Sequence, residues 1–287
     1  MLFDTCMKKI KSDVLDKSPP FNWVSFAVVE EQNKDSKKSM EDFTIADINL
    51  TGNNRFGLFV ILDGHGGQEV ALYTKQNYPI ILKKKLLQVS NKYTIPMALQ
   101  DSIKKISKSL SEKSEFMSGS TFCGVLIDKV HKDYYTINVG DSRAFKAFPS
   151  SEGDTDLTFK LEPLTIEHKL TNQNEKDRIL KFHHLIQNRL GGQILVTRAL
   201  GDFGFAEYGL SDEPDINGFK LTNERFILIG SDGVWDFLEL DEVIKCLKIN
   251  ETKGTSIIGQ EIVKAAKMAS IDNISLIVIS IKQEKGN

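Results

Sequence analysis

The chain is poor in cysteine: Cys6, Cys123 and Cys246 are the three in 287 residues. They stand far apart and form no Cys-x-x-Cys pair, which argues against a disulfide framework and against a thiolate zinc site. They are expected to be small buried hydrophobes in a reducing compartment. Long apolar runs are missing, so no segment reads as a membrane-spanning helix. The N-terminal MLFDTCMKKIKSDVL mixes charged with apolar residues. It has no signal-peptide core and no Gly after the initiator Met, so neither export nor myristoylation is expected. An excess of charge is also lacking, with a formal net charge of -2. That leaves neither the basic footprint of a nucleic-acid binder nor a solvated acidic tail. Internal repeats and low-complexity tracts are absent. These absences together predict a cytoplasmic protein, with the nucleus as the alternative location, and no membrane or nucleic-acid partner; a monomer is expected, though no sequence feature sets the oligomeric state.

What is present is enough apolar residue for a sizeable core, 40% of the chain, with an ordinary 26% charged. Residues 1–20 read as a short amphipathic lead-in ending at Pro19-Pro20, and length alone allows 21–284 to be one large domain or two small ones. Apolar alternation or short apolar runs predict strands at WVSFAVVEE, FTIADI, FGLFVIL (56–62), TFCGVLID (121–128), YYTINV (134–139), AFKAF (144–148), RFILIGS (225–231) and ISLIVISI (274–281). Helical spacing predicts one helix from about Gln68 to Leu87, interrupted near Pro79, and another from about Met97 to Leu110. Further helices are expected in DEVIKCLKI (241–249) and SIIGQEIVKAAKMAS (256–270), and residues 165–188 read as partly helical. SSEGDTD (150–156) reads as a turn or short loop. Strands in runs, with helices in blocks between them, favour an α+β layered fold in which helices cover two packed sheets.

Acidic residues recur at the ends of these strands. Glu41 and Asp42 lie in SMEDF, Asp63 in ILDGHGG, Asp141 in NVGDSRA, Asp232 and Asp236 in GSDGVWDF, and Asp272 in SIDNISL. Each alone has an ordinary explanation, since Asp-Gly after a strand is usually a turn and Asp-Asn before one a local cap. The set is harder to explain that way. If the strands share one sheet system, their ends converge, and converging carboxylates raise one another's pKa. A divalent cation removes that penalty. Oxygen donors without a His or Cys cluster suit hard metals such as Mg²⁺ or Mn²⁺, and a carboxylate shared by two such ions is a recurring device of phosphoester chemistry. In DGHGG, Asp63 offers its side chain and Gly64 a carbonyl with no side chain in the way. His65 titrates near neutral pH and is a candidate proton donor.

At this point a family resemblance enters. SMEDF, VILDGHGG, SGSTFCGVLI, NVGDSRAFKA, LTIEHK, LVTRALGD, EPDI, RFILIGSDGVWDFL and DNISLIV stand in the order found in metal-dependent type-2C (PPM) protein serine/threonine phosphatases, from residue 39 to 278. The resemblance implies a four-layer α-β-β-α sandwich of two antiparallel sheets flanked by helices, with two Mg²⁺ or Mn²⁺ ions in a cleft at one end. It implies that Asp63 bridges both ions and that Gly64 binds one through its backbone oxygen. Asp232 and Asp272 then complete the other, and Glu41 and Asp42 ligate directly or hold the ions' waters. Asp141 and Asp236, with Asp232, match a weaker third site, near Thr121 of SGST. The implied reaction is hydrolysis of phosphoserine or phosphothreonine in phosphoprotein substrates by in-line attack of a metal-bridging water, with His65 protonating the leaving oxygen.

Two departures stand out. The family often places Arg three residues before the Met of its MED motif to grip the substrate phosphate; here that position is Lys37. Lys keeps the charge and loses the bidentate fork, which predicts retained activity with weaker phosphate binding. The segment FGFAEYGLSD, between LVTRALGD and EPDI, is shorter than the flap of many members, which leaves substrate choice open. Glu167 replaces a common Asp without expected effect. His168, His183 and His184 are expected to be surface or structural residues rather than ligands, and Arg198 and Asp202 to be structural, pairing or capping near the cleft. The rival readings are a catalytically dead adaptor, disfavoured because every acid is present, and a nuclease or small phosphoester hydrolase.

Overall fold

A computed structural model describes residues 9–15, 24–113, 115–150, 158–181 and 185–282. The strands in chain order are β1 (Lys9–Leu15), β2 (Val24–Glu31), β3 (Phe43–Asp47), β4 (Phe56–Leu62), β5 (Gly64–His65), β6 (Gly119–Ser120), β7 (Phe122–Asp128), β8 (Asp133–Val139), β9 (Arg143–Pro149), β10 (Phe159–Pro163), β11 (Leu200–Gly201), β12 (Asp215–Lys220), β13 (Phe226–Gly230) and β14 (Ile274–Ile281). The α-helices are α1 (Glu69–Leu86), α2 (Ile95–Ser111), α3 (Gln173–Leu180), α4 (Asp232–Trp235), α5 (Leu240–Asn250) and α6 (Thr255–Lys267). One sheet has the order β1-β2-β14-β13-β9-β10 and the other β12-β8-β7-β4-β3; a small β11-β6-β5 sheet sits apart from both. Every pairing within the two large sheets is antiparallel.

The layers follow from the period-2 alternation of side chains along each strand. In β4, Phe59 and Ile61 face the other sheet, where they meet Val28 of β2, Ile229 of β13 and Ile277 of β14. Leu58, Val60 and Leu62 face outward and are covered by Tyr78 and Leu82 of α1 and Leu99 and Ile103 of α2. Leu228 and Val278, on the outer face of the other sheet, are covered by Val243 and Leu247 of α5 and Ile258 and Ile262 of α6. Both faces of the central strands are therefore buried, which is why FGLFVIL and ISLIVISI read as unbroken apolar runs. The result is the expected α-β-β-α sandwich.

Three details differ from the sequence reading. Helix α1 runs without a break through Pro79, because Tyr78 and Leu82 on either side of it are fully buried. Their packing outweighs the roughly 3 kcal/mol an interior proline costs. Within the lead-in, β1 pairs with β2 and extends the sheet. Strands β10 and β12 are edge strands that no apolar run marked. Among the cysteines, Cys123 is buried between the sheets, where burial pushes its thiol up to about 12. Cys246 is free and partly buried, and Cys6 lies outside the described residues.

Candidate active site

The acids converge because antiparallel pairing brings strand ends together. Phe43, which opens β3, is paired with Leu62, which closes β4, so Glu41 and Asp42 lie beside Asp63. Gly230 at the end of β13 is paired with Leu276 near the start of β14, which brings Asp232 to Asp272. Strand β8 ends at Val139, opposite Phe122, and a turn at Gly140, with φ of +110°, delivers Asp141. One carboxylate oxygen from each of Asp63, Asp141 and Asp232 lies within 4.8 Å of the other two. Lys37, Glu41, Asp63, Gly64, His65, Asp141, Asp232 and Asp272 all line one cleft of ≈ 290 Å³.

Second-layer contacts fix these groups. The Asp63 N–H donates to Thr121 Oγ1 (3.1 Å), which also contacts Ser142 Oγ (2.8 Å), and the Thr121 N–H donates to the Asp63 carbonyl (2.9 Å). Buried Asn273 holds the SMED segment: its Oδ1 accepts from the Glu41 N–H (2.8 Å), and its Nδ2 donates to the carbonyls of Gln32 (2.8 Å) and Ser39 (3.0 Å). A β-carbon on Gly64 would overlap the Glu41 carbonyl oxygen, so only glycine lets these two segments pass so closely. His168 is structural, as expected: buried, it accepts from the Gly140 N–H at Nδ1 (3.0 Å) and contacts Asp215 Oδ2 through Nε2 (3.1 Å). Arg198 likewise pairs with Glu175 and Asp215. His183 and His184 lie outside the described residues.

The electrostatics are those of a site built for cations. Burial and the charges of Asp42, Asp232 and Asp141 push Asp63 well above the usual carboxylate range. Burial, with Asp141 and Asp272 adding, lifts Asp232 to about 6. Burial and the charge of Asp232 lift Asp42 to about 7. Asp42 does not line the cleft; it is buried behind it, and its Oδ2 has no hydrogen-bond partner among the described residues. An orphaned buried carboxylate oxygen is costly unless a ligand or its hydration shell satisfies it. The donor set of the cleft, oxygens without a His or Cys cluster, fits hard divalent cations.

A pH dependence follows. An acid whose folded pKa is raised holds its proton more tightly in the folded chain than in the unfolded one. Between about pH 4 and about 7 the metal-free fold therefore gains stability as pH falls, and loses it as pH rises through these pKa values. Calorimetric melts in chelator should show Tm rising from pH 8 to pH 5.5. Mn²⁺ must displace the same protons, so its apparent affinity should weaken by up to about tenfold per pH unit for each proton released over that range.

His65 sits on the rim with Nε2 2.5 Å from Asp202 Oδ2. Burial opposes its charged form, but the hydrogen bond and charge of Asp202 outweigh burial and raise its pKa. Asp202 is thus more than a local cap. It is buried, adopts a left-handed conformation (φ 48°), and a β-carbon on Gly119 would overlap both it and the His65 ring. Lys37 Nζ lies 2.6 Å from Asp272 Oδ1 at the cleft edge, where this contact, outweighing burial, raises its pKa. Asp236 is a cleft neighbour whose carboxylate faces Arg143 and Lys169. One wall of the cleft is built by Arg189 and residues 193–196, and the short segment 203–212 does not line it. It is a tight reversal bridged at Ile186–Arg189 and Leu190–Ile194.

Comparison with known proteins agrees with this geometry. Residues 26–274 match the sequence profile of the family described as protein phosphatase 2C. A relative from Arabidopsis thaliana, probable protein phosphatase 2C 8, is 29% identical over 277 residues, covering 88% of this chain and 78% of that protein. Protein phosphatase 2C homolog 1 of Schizosaccharomyces pombe is 26% identical, covering 93% of this chain and 75% of its own. The crystal structure of a serine-threonine phosphatase 2C from Toxoplasma gondii shares the fold, with a TM-score of 0.73 at 19% identity over 94% of this chain and 98% of the other. With the profile spanning most of the sandwich and its acids gathered at one end, the chain belongs to the protein phosphatase 2C family of metal-dependent protein serine/threonine phosphatases.

Proposed function

We propose that Asp63, Asp232 and Asp272, with Gly64 and Glu41 beside them and Asp42 behind, hold two Mg²⁺ or Mn²⁺ ions, and that this cleft hydrolyses phosphoserine and phosphothreonine in phosphoproteins. The observation that carries the reading is the convergence of carboxylates from five separate chain segments on one cleft, two of them, Asp63 and Asp232, held above their ordinary pKa. When bound, the cations supply Lewis acidity toward water and phosphoryl oxygen. The chain's own residues do the rest. Thr121 and Asn273 hold the backbone of Asp63 and Glu41, and Asp202, which engages His65 Nε2 and raises the ring's pKa, leaves Nδ1–H to pass a proton to the departing serine or threonine oxygen. Beside the cleft, and sharing Leu195 with it, a groove of ≈ 570 Å³ lined by Gln173, Lys176 and Asn188 receives residues flanking the phosphorylated one.

Lys37 serves the phosphate from the cleft edge while neutralising Asp272. It is partly exposed, and pairs of that kind contribute about 0.2–1 kcal/mol. Lys37→Ala is therefore expected to raise KM for a phosphopeptide by about two- to fivefold with kcat little changed. Unchanged KM and kcat would remove the assigned role. The functional reading itself is tested by phosphate release from a phosphothreonine peptide with Mn²⁺, without it, and with chelator, beside DNA and a sugar phosphate. Metal-dependent release from the peptide alone is expected; release from DNA or the sugar phosphate alone would point to another hydrolase, and no release at all to a dead adaptor.

A further inference from the structure

The fit of metals to this cleft does not extend to every acid. Asp236 has both carboxylate oxygens engaged by side-chain cations: Oδ1 by Arg143 Nη2 at 3.2 Å and Oδ2 by Lys169 Nζ at 3.1 Å. The same Lys169 nitrogen lies 3.0 Å from Asp141 Oδ2 and 3.5 Å from Glu167 Oε1, and Arg143 Nη1 lies 3.7 Å from Glu167 Oε2. Three carboxylates thus meet two cationic side chains. The ammonium is compact and has three donors, which suits three converging acceptors. It is 19% exposed, so solvent screens it little.

We propose that the Lys169 ammonium occupies the position between Asp141 and Asp236 where a third divalent cation would sit, so that the chain carries a built-in monovalent charge there and binds no metal ion between those two acids. The proposal rests on the metal-dependent reading above. A divalent ion entering at Asp141 and Asp236 must first expel a charge that is covalently tethered beside them, and tethering keeps its effective concentration high. It must also compete with the Arg143 contact for an Asp236 oxygen. Small oxygen-seeking cations demand a near-ideal set of donors, and each Asp236 oxygen offers only the lone pair that its side-chain cation leaves free. The basic residue after the Glu167-His168 pair is therefore part of the charge arrangement of the site rather than a surface lysine.

The test counts bound Mn²⁺ from the electron paramagnetic resonance signal of the free ion in titrations of the full chain, with circular dichroism as a check of folding. Lys169→Met, which keeps the side-chain length and removes the charge, is expected to bind one more Mn²⁺ than the wild type. Lys169→Arg and Asp236→Asn are expected to bind the wild-type number. The proposal is overturned if Lys169→Met binds no additional ion, or if Asp236→Asn loses one. Should Lys169→Met fail to fold, Asp236→Asn still decides, because loss of an ion there would make Asp236 a ligand. A wild-type chain that already binds a third ion through Asp236 overturns this assignment alone. A wild-type chain that binds no Mn²⁺ overturns the metal-dependent reading and this assignment with it.

Discussion

Asp63→Asn is expected to lower kcat/KM toward a phosphothreonine peptide by at least about 10³-fold, because it removes the proposed shared ligand of the cations, whose charge stabilisation is worth several kcal/mol. The fold should survive. Asp63 is buried among Asp42, Asp232 and Asp141, and their repulsion already raises its pKa, so a neutral amide of the same shape relieves strain in the metal-free chain. Its backbone remains tied to Thr121 in both directions. The chelator-treated variant should therefore melt at or above the temperature of chelator-treated wild type at pH 8. The Mn²⁺-induced rise in Tm expected of wild type should be mostly lost. A folded variant with unchanged turnover would be incompatible with Asp63 as the shared ligand.

The second large effect concerns the His65–Asp202 pair. His65→Gln should lower kcat toward a phosphoserine peptide by about 10²–10⁴-fold, the usual contribution of a positioned acid. The loss should be much smaller toward an aryl phosphate, whose leaving group needs little protonation. Asp202→Asn separates orientation from charge. Asn tolerates the left-handed backbone at this position, so the turn is kept. The ring loses the partner that raises its pKa. With the acid form of His65 proposed as the active one, a lower pKa moves the alkaline limb of the kcat profile to lower pH, and activity lost at pH 8 should return in part near pH 6. An Asp202 with only a packing role would lower activity without moving the profile.

Much of the fold was legible because its central strands are apolar on both faces. The ISLIVISI run was read over the very residues of β14, and RFILIGS brackets β13. The two edge strands β10 and β12 escaped because exposure of alternate or most positions leaves no apolar signal, as in DINGFK. The break expected at Pro79 did not form because burial of Tyr78 and Leu82 is a tertiary effect that local preference does not carry. In the site, the acids could be found one by one, since each ends or precedes a strand. What holds them could not: His65 and Asp202 are 137 residues apart in sequence, and Glu41 and Asn273 are 232 apart. Pairings at such separation leave no trace in local spacing. Lys169 was passed over for the same reason, as was the cleft wall at residues 189–196, whose composition resembles any polar turn.

The most direct test is a crystal of the chain grown with excess Mn²⁺, with data collected at the manganese absorption edge. The predicted result is two anomalous peaks in the cleft with the Asp63 carboxylate between them, one of the ions also touching Asp232 and Asp272. Manganese bound elsewhere, with these three carboxylates apart and no ion among them, would contradict the account.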